Sequence, residues 1–227
     1  MRSLTLGLLL GLGFLPALSR LSADDKPNDA TLGAKAPEGA VVLFDGKNID
    51  GWVKTDGKTP ADWPVADGIM TVGHGSIMAA RRMGDIQLHL EFNVPYMPDA
   101  HGQARGNSGV YLAGCYEVQI LDSFGLKPRD NECAGVYTQA TPRVNACKPP
   151  LQWQTYDITF HRAKVEDGKV VKKARVTVIF NGVNVIDNTE VGTTPGGMGT
   201  GAGDEGPLML QDHGNAVQFR NIWARPL

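Results

Sequence analysis

The stretch Gly106-Asn-Ser-Gly-Val-Tyr-Leu-Ala-Gly-Cys-Tyr-Glu-Val-Gln-Ile-Leu-Asp-Ser-Phe-Gly125 decides the fold. β-Branched and aromatic residues fill Ser108 to Leu112 and Tyr116 to Leu121, and a glycine lies between them, so the two runs read as antiparallel strands joined across Ala113-Gly114. Side chains alternate along a strand. Tyr116, Val118 and Ile120 therefore share one face, and Glu117, Gln119 and Leu121 the other. With Asp122 at the strand end and Asn107 entering the neighbouring strand, an apolar hairpin carries a polar floor, which is the candidate site.

Strand patterns continue on both sides. Upstream, Val41 to Phe44 is an apolar run, Asp67-Gly68 a turn leading into Ile69 to Val72, and Asp85 to Val94 an alternation expected to be half buried. In it Ile86, Leu88, Leu90 and Phe92 face one way and Gln87, His89 and Glu91 the other. Downstream, alternation returns in Tyr156 to His161 and in Arg175 to Asn181, where Asn181-Gly182 turns the chain into Val183 to Ile186. Pro207 to Gln211 and Ala216 to Arg225 close the chain as strands. Lys127 to Pro150 reads as a long excursion over the sheet, Lys164 to Lys173 as an exposed charged loop, and glycine-rich Gly192 to Gly206 as a mobile loop. About a dozen short strands with no helical period predict an all-β fold, a two-sheet antiparallel sandwich of jelly-roll type.

Composition narrows the function. The chain has 227 residues, 42% of them hydrophobic, enough for one domain with a real core. Its net charge is −2, and removing the first 23 residues takes away Arg2 and Arg20 and leaves −2 − 2 = −4. No basic stripe is present to follow a phosphate backbone, so nucleic acid is not an expected partner. Met1 to Ala23 has one early cation, an apolar run from Leu4 to Leu15 and then small residues, the layout of a signal peptide, with cleavage after Ser19 or after Ala23 fitting equally and an uncleaved anchor as the alternative. The run is too short for a comfortable membrane span, and no later segment suits one. Residues 24–39 read as a flexible linker and 40–227 as the domain, in a secreted or periplasmic protein. Of three cysteines, Cys133 and Cys147 are the expected disulfide in an oxidising compartment, leaving Cys115 a lone thiol. Zinc is disfavoured, since no Cys-x-x-Cys pair exists.

Several motifs across the chain, Val42-Leu-Phe-Asp-Gly-Lys-Asn-Ile-Asp-Gly-Trp52, Gly106-Asn-Ser-Gly-Val-Tyr111, Tyr116-Glu-Val-Gln-Ile-Leu-Asp122, Gly135-Val-Tyr137, Leu210-Gln-Asp-His-Gly214 and Phe219-Arg-Asn-Ile222, resemble the 3-keto-disaccharide hydrolase family. The resemblance runs from about Ala40 to Leu227. It implies a concanavalin A-like jelly roll acting on sugars, with Trp153-Gln154 departing from the family's usual Trp-Asn. The implied reaction starts from a glycoside already oxidised at C3, whose C2 proton the ketone acidifies; a base removes that proton, the C1 oxygen leaves, and water adds back. A separate oxidoreductase would make the ketone. The protein itself needs a base, a proton donor and an enolate-stabilising group.

Glu117 is the first acid/base candidate, set against a salt bridge to Arg175 or Arg220. His213 is the second, able also to bind a divalent metal ion, set against a turn histidine before Gly214. Asp122 completes the catalytic set, because Glu117-x-Gln119-x-x-Asp122 is similar to the acidic strand of laminarinase-type glycosidases; the alternative is an Asx cap of its own turn. Asn107, Gln119, Tyr137 and Gln211 are candidate substrate-binding residues, each weighed against a satisfied buried role. The four tryptophans read as core. The rival function is a non-catalytic carbohydrate-binding module, for which a neutral groove flanked by exposed tryptophans would speak, whereas a tuned carboxyl and an imidazole at one hollow would mark an enzyme.

Overall fold

A computed structural model describes residues 25–198 and 203–227. The proposed signal peptide and residues 199–202 of the glycine-rich segment lie outside them. The architecture is the expected all-β sandwich, with two large antiparallel sheets. In chain order the strands are β1 (Val41–Phe44), β2 (Trp52–Lys54), β3 (Val65–Ala66), β4 (Ile69–Thr71), β5 (Ile77–Met83), β6 (Ile86–Asn93), β7 (Ser108–Leu112) and β8 (Tyr116–Ile120). They continue as β9 (Gln154–His161), β10 (Lys164–Glu166), β11 (Lys169–Lys172), β12 (Ala174–Phe180), β13 (Val183–Val191), β14 (Gly206–Leu210) and β15 (Gln218–Pro226).

The larger sheet runs β13-β12-β9-β6-β15-β4-β3, with β1 also on β15; the smaller runs β2-β5-β14-β7-β8. Many neighbours are far apart in sequence, the wiring of a jelly roll rather than a meander. The facing sides bury one continuous core. Phe92, Tyr156 and Phe180 pack together at its centre, with ring centroids 4.7 Å, 5.0 Å and 6.1 Å apart, the first two pairs tilted and Phe92–Phe180 stacked. Val110, Leu112, Tyr116, Val118 and Ile120 enter it from the smaller sheet. Burying side chains of this size stabilises the fold by roughly 1.5–3 kcal/mol each. Because the inner positions of β7 and β8 are apolar, their alternate residues Tyr111, Glu117 and Gln119 go to the outer face.

Two hairpin turns follow the sequence. Asp67-Gly68 and Asn181-Gly182 both have positive φ at the two central residues, as a two-residue turn matching strand twist requires. The β7–β8 turn differs by one residue. Leu112 pairs with Tyr116, so Ala113, Gly114 and Cys115 all lie in the connection, with Ala113 at φ +50°.

Four other expectations are corrected. The described lead, residues 25–39, is no free linker. Asn28 N donates to Asn181 O (2.8 Å), Gly33 N to Glu91 Oε1 (2.7 Å) and Asn221 Nδ2 to Ala34 O (2.9 Å), strapping the lead over the outer face of the larger sheet. That strap explains the second correction, since β6 is buried on both faces, with His89 and Glu91 at 0% and 1% exposure. Lys164 to Lys173 is exposed as expected but forms a hairpin, β10–β11, turned at Asp167-Gly168. The described start of the glycine-rich segment is docked: Thr194 N donates to Cys115 O (2.9 Å) and Met198 N to Gly114 O (2.8 Å).

The cysteine pairing is corrected as well. Cys133 and Cys147 are brought together by the 121–153 excursion, yet both are buried thiols, not a disulfide, hydrogen-bonded to one another, and Cys115 is buried too. Other bonds already engage the two sulfurs. Cys133 Sγ lies 3.1 Å from Tyr156 Oη, and Cys147 Sγ donates to Lys148 O at 3.4 Å.

Candidate active site

The outer face of β7 and β8 opens into a hollow of about 150 Å³, bounded by the end of β14 and by the Pro195-Gly196 loop. Glu117 forms its floor, 3% exposed. In the hairpin register Glu117 stands directly opposite Tyr111, and Gln119 directly opposite Gly109. The missing side chain at Gly109 is what makes room, because a Cβ there would overlap the Glu117 carboxyl. Burial pushes that carboxyl up to about 7, against a hydrogen bond from Tyr111 that pulls it down. A carboxyl poised there can take a proton and return it near neutral pH.

Tyr111 is wholly buried and orders the floor. Its hydroxyl accepts from Gln211 Nε2 at 3.1 Å, and its one proton is shared between the Glu117 carboxyl and Pro195 O, 3.2 Å away. Burial and the neighbouring carboxyl push the phenol well above its ordinary range, so it stays protonated. On the other side Gln103, from a short 3-10 turn (Gly102–Ala104), arranges two amides. Its Oε1 accepts from Gln119 Nε2 (3.0 Å) and Asn107 Nδ2 (3.3 Å), while its own Nε2 donates to Asn131 O (2.8 Å). Asn107 Nδ2 also donates to Gln103 O at 2.6 Å.

With their NH₂ groups so held, Asn107 Oδ1, Gln119 Oε1 and Gln211 Oε1 are left as buried acceptors with no protein partner among the described residues. An unsatisfied buried acceptor costs about 1–3 kcal/mol, so three converging on one hollow call for a ligand rich in O–H donors.

Most of the expected site is assembled. Glu117, His213, Asn107, Gln119, Tyr137 and Gln211 all line the one hollow. His213 stands exposed at the rim, where Asp212 fixes the turn below it by accepting from Gly75 N and Gly214 N, both at 2.8 Å. Tyr137, half-buried, is anchored by its N–H to Glu117 O at 3.1 Å. The salt-bridge alternative for Glu117 is removed, since Arg220 pairs with Glu91 (2.7 Å) and Arg175 with Glu190 (2.8 Å).

Asp122 is the correction. β8 ends at Ile120, Leu121 turns into the core instead of joining the Glu117 face, and alternation stops there. The Asp122 carboxylate meets Arg105 Nε at 3.4 Å and accepts from Phe124 N at 3.3 Å, a turn cap outside the hollow. Gln154, where the chain departs from the family motif, is structural: its Oε1 accepts from Lys148 N (3.0 Å) and Asn181 Nδ2 (3.1 Å).

Sequence reasoning missed Tyr111 and Gln103. The turn hid Tyr111: two residues at Ala113-Gly114 would set it across from Tyr116, and only the longer connection, pairing Leu112 with Tyr116, places it across from Glu117. Gln103 lies in a loop with no periodic signal, and only its bonds reveal its part.

Among the described residues no three His, Cys, Asp or Glu side chains gather in a way that could hold a metal ion. The hollow offers one carboxylate, one imidazole and three amide oxygens. Such mostly oxygen donors suit a hard divalent ion better than zinc.

The tryptophans are not sugar platforms here. Trp52 and Trp63 are buried with their indole N–H groups bonded to Leu43 O and Gly75 O, both at 2.9 Å, while Trp223 stacks on His89 and Trp153 lies under Arg220 on the other sheet. A jelly roll holding neutral amide acceptors around one tuned carboxyl belongs to the class of carbohydrate-active proteins. Within it, the chain belongs to the 3-keto-alpha-glucoside-1,2-lyase-like domain family, which matches residues 39–225. A solved structure from Parabacteroides distasonis ATCC 8503, described as a candidate glycosyl hydrolase, is 37% identical with a TM-score of 0.78, over 89% of this chain and 90% of that one. A second protein of that organism, described in the same way, shares the fold at 22% identity and a TM-score of 0.63, over 84% of this chain and 94% of its own. No curated protein matches the chain.

Proposed function

We propose that this protein cleaves 3-keto-glycosides by elimination and hydration, outside the cytoplasm. The observation that carries the reading is Glu117, poised near neutrality at the floor of a hollow lined by three unpaired amide acceptors and rimmed by His213. Glu117 takes the C2 proton. The C1–O bond then breaks, its electron pair leaves with the aglycone oxygen, and His213 supplies that oxygen with a proton. Water then adds across the resulting C1–C2 double bond: its hydroxyl goes to C1, the proton it sheds goes to His213, which gave one to the aglycone, and Glu117 returns to C2 the proton it took. The Tyr137 hydroxyl faces the keto oxygen as donor, and Asn107, Gln119 and Gln211 accept from the remaining sugar hydroxyls. A divalent ion, where one is bound, would be held by an amide oxygen of this set in place of a sugar hydroxyl and would polarise the ketone, leaving the Glu117 carboxyl free as the base.

Two parts of this proposal rest on the sequence and on chemistry. Export is inferred from the Met1 to Ala23 pattern. The ketone requires an oxidoreductase acting earlier on the same glycoside, because elimination without it would start from an unactivated C2–H.

A binding module would use the same acceptors but has no need of a carboxyl tuned to neutrality. The test is incubation with a 3-keto-disaccharide, with and without chelator, following release of the free aglycone sugar. Turnover with 3-keto but not parent disaccharide is expected; binding without any release would leave the module reading in its place.

A further inference from the structure

Beyond the sugar hollow lies a second one, about 390 Å³, lined by Thr55, Ser76, Gly196, Gly197, Met198 and Met209. Gly196 belongs to both. We infer that this second hollow receives the aglycone, and that the aglycone it fits carries an aromatic ring. The inference rests on the proposed reading of the first hollow as the place of the keto sugar.

The wall between the hollows is as thin as backbone permits. Gly196 sits at φ +77°, and a Cβ there would come within 2.6 Å of Tyr111 Oη, so any side chain would be driven into the floor. The wall is also fixed in place. Thr194 Oγ1 accepts from Glu117 N at 2.9 Å, Tyr111 Oη reaches Pro195 O, and Met198 N donates to Gly114 O, which ties the loop to the β7–β8 turn on both sides of Gly196. A glycoside whose sugar lies over Glu117 can therefore pass its leaving group over Gly196 into the second hollow.

What lies beyond differs in chemistry from the sugar hollow. It has two thioethers, two backbone glycines, two hydroxyls and no charged side chain. Met209 belongs to a small apolar cluster with Met78 and Tyr111 on the outer face of the smaller sheet, and Met198 packs against it. Thioethers are polarizable and favour ring edges and faces, and their flexibility suits rings of varied substitution. A second sugar would meet none of the amide acceptors that crowd the first hollow, whereas a phenolic ring could lie on Met198 and Met209 with a ring hydroxyl on Thr55 or Ser76.

The experiment uses the full chain with carbon-13 methyl-labelled methionine and two unreactive probes, phenyl and methyl glucoside, each as both anomers. Ring-current shifts of the Met198 and Met209 methyl signals with phenyl glucoside alone are expected, with core Met70 and Met83 as unmoved references. Thr55→Trp, which fills an exposed edge of the hollow, should weaken phenyl glucoside binding about tenfold. Unmoved Met198 and Met209 signals with phenyl glucoside, equal shifts with both probes, or shifts with a disaccharide but not with the aryl probe, would each overturn the aromatic assignment. Because the probes are not turned over, this result stands apart from the keto-glycoside reaction: methionine shifts without any 3-keto-glycoside cleavage would refute the reaction and leave the aryl site.

Discussion

Tyr111 and Glu117 face each other across the β7–β8 ladder, the phenol proton shared onto the carboxyl and the phenol oxygen accepting from Gln211. This pair ties three strands of the smaller sheet to one ionisable group. It also sets two opposing influences on that group, burial raising the carboxyl's pKa and the tyrosine lowering it.

Removing the charge at the floor should separate chemistry from folding. Glu117→Gln is expected to reduce turnover of a 3-keto-glucoside by about 100- to 10,000-fold, the range of a general acid/base group. Its stability effect has a sign. The folded carboxyl holds its proton up to about pH 7 against an ordinary 4.5, so wild-type stability falls as pH rises through that window, by about 3 kcal/mol in all. Thermal midpoints measured from pH 4 to 8 should therefore show Glu117→Gln gaining on wild type as pH rises; a gap that does not change with pH would mean the carboxyl is not perturbed.

Tyr111→Phe removes the hydrogen bond that favours the ionised carboxyl. A charge-assisted bond is worth about 1.5–3 kcal/mol, so the acid limb of the pH–rate profile should move up by about one to two units. That limb is the readout, because a merely structural loss would lower the rate at every pH alike.

Gly109→Ala places a methyl where the Glu117 carboxyl lies. The strand can accept alanine without conformational strain, as Gly109 does not have positive φ. The expected result is a folded protein with activity reduced at least about 100-fold, approaching Glu117→Gln. Near-normal turnover would show that the carboxyl has another productive position.

Period-two alternation on either side of a glycine turn was enough to put Glu117 and Gln119 on one face, and the same alternation in Met209 to His213 carried Gln211 and His213 to the hollow. What escaped was set by tertiary cover. His89 and Glu91 look like a solvent face in the pattern of β6, and no local signal announces that residues 25–39 lie over them. Asp122 failed for a related reason: a spacing argument assumes the strand continues, and β8 stops two residues earlier. Gln103 has no pattern to betray it, since its part consists of accepting from two amides, one just before β7 and one on β8.

Gln103→Leu should act on binding more than on chemistry. Without its Oε1, the NH₂ group of Gln119 loses the acceptor that turns its carbonyl oxygen to the sugar, and that of Asn107 keeps only the backbone O of residue 103. KM is expected to rise about tenfold, equivalent to about 1.4 kcal/mol, with kcat changed less. An equal fall in kcat and kcat/KM would place Gln103 in the transition state instead.

The buried cluster beneath the strap gives the last prediction. Burial alone would raise the Glu91 carboxyl, but hydrogen bonds from His89, Asn221, Arg220 and the Gly33 N–H outweigh it and hold the group at about 2. For His89 burial works the other way, and the bonds to Asp157 and Glu91 outweigh it, so the imidazole is held above its ordinary value. A depressed carboxyl contributes stability that is fully present above its unfolded value near 4.5 and disappears as pH falls through about 2. The raised imidazole contributes stability below its unfolded value near 6.5, lost as pH climbs through the higher folded one. Glu91→Gln should therefore lower the thermal midpoint most where both partners are charged, between about pH 5 and 6.5, and less as the pH approaches 2. It should also free the strap: amide hydrogen exchange at Gly33 should quicken, while exchange in β7 and β8 stays as in wild type. Unchanged protection at Gly33 would mean that the strap is held by Asn28 and Ala34 without help from the carboxylate.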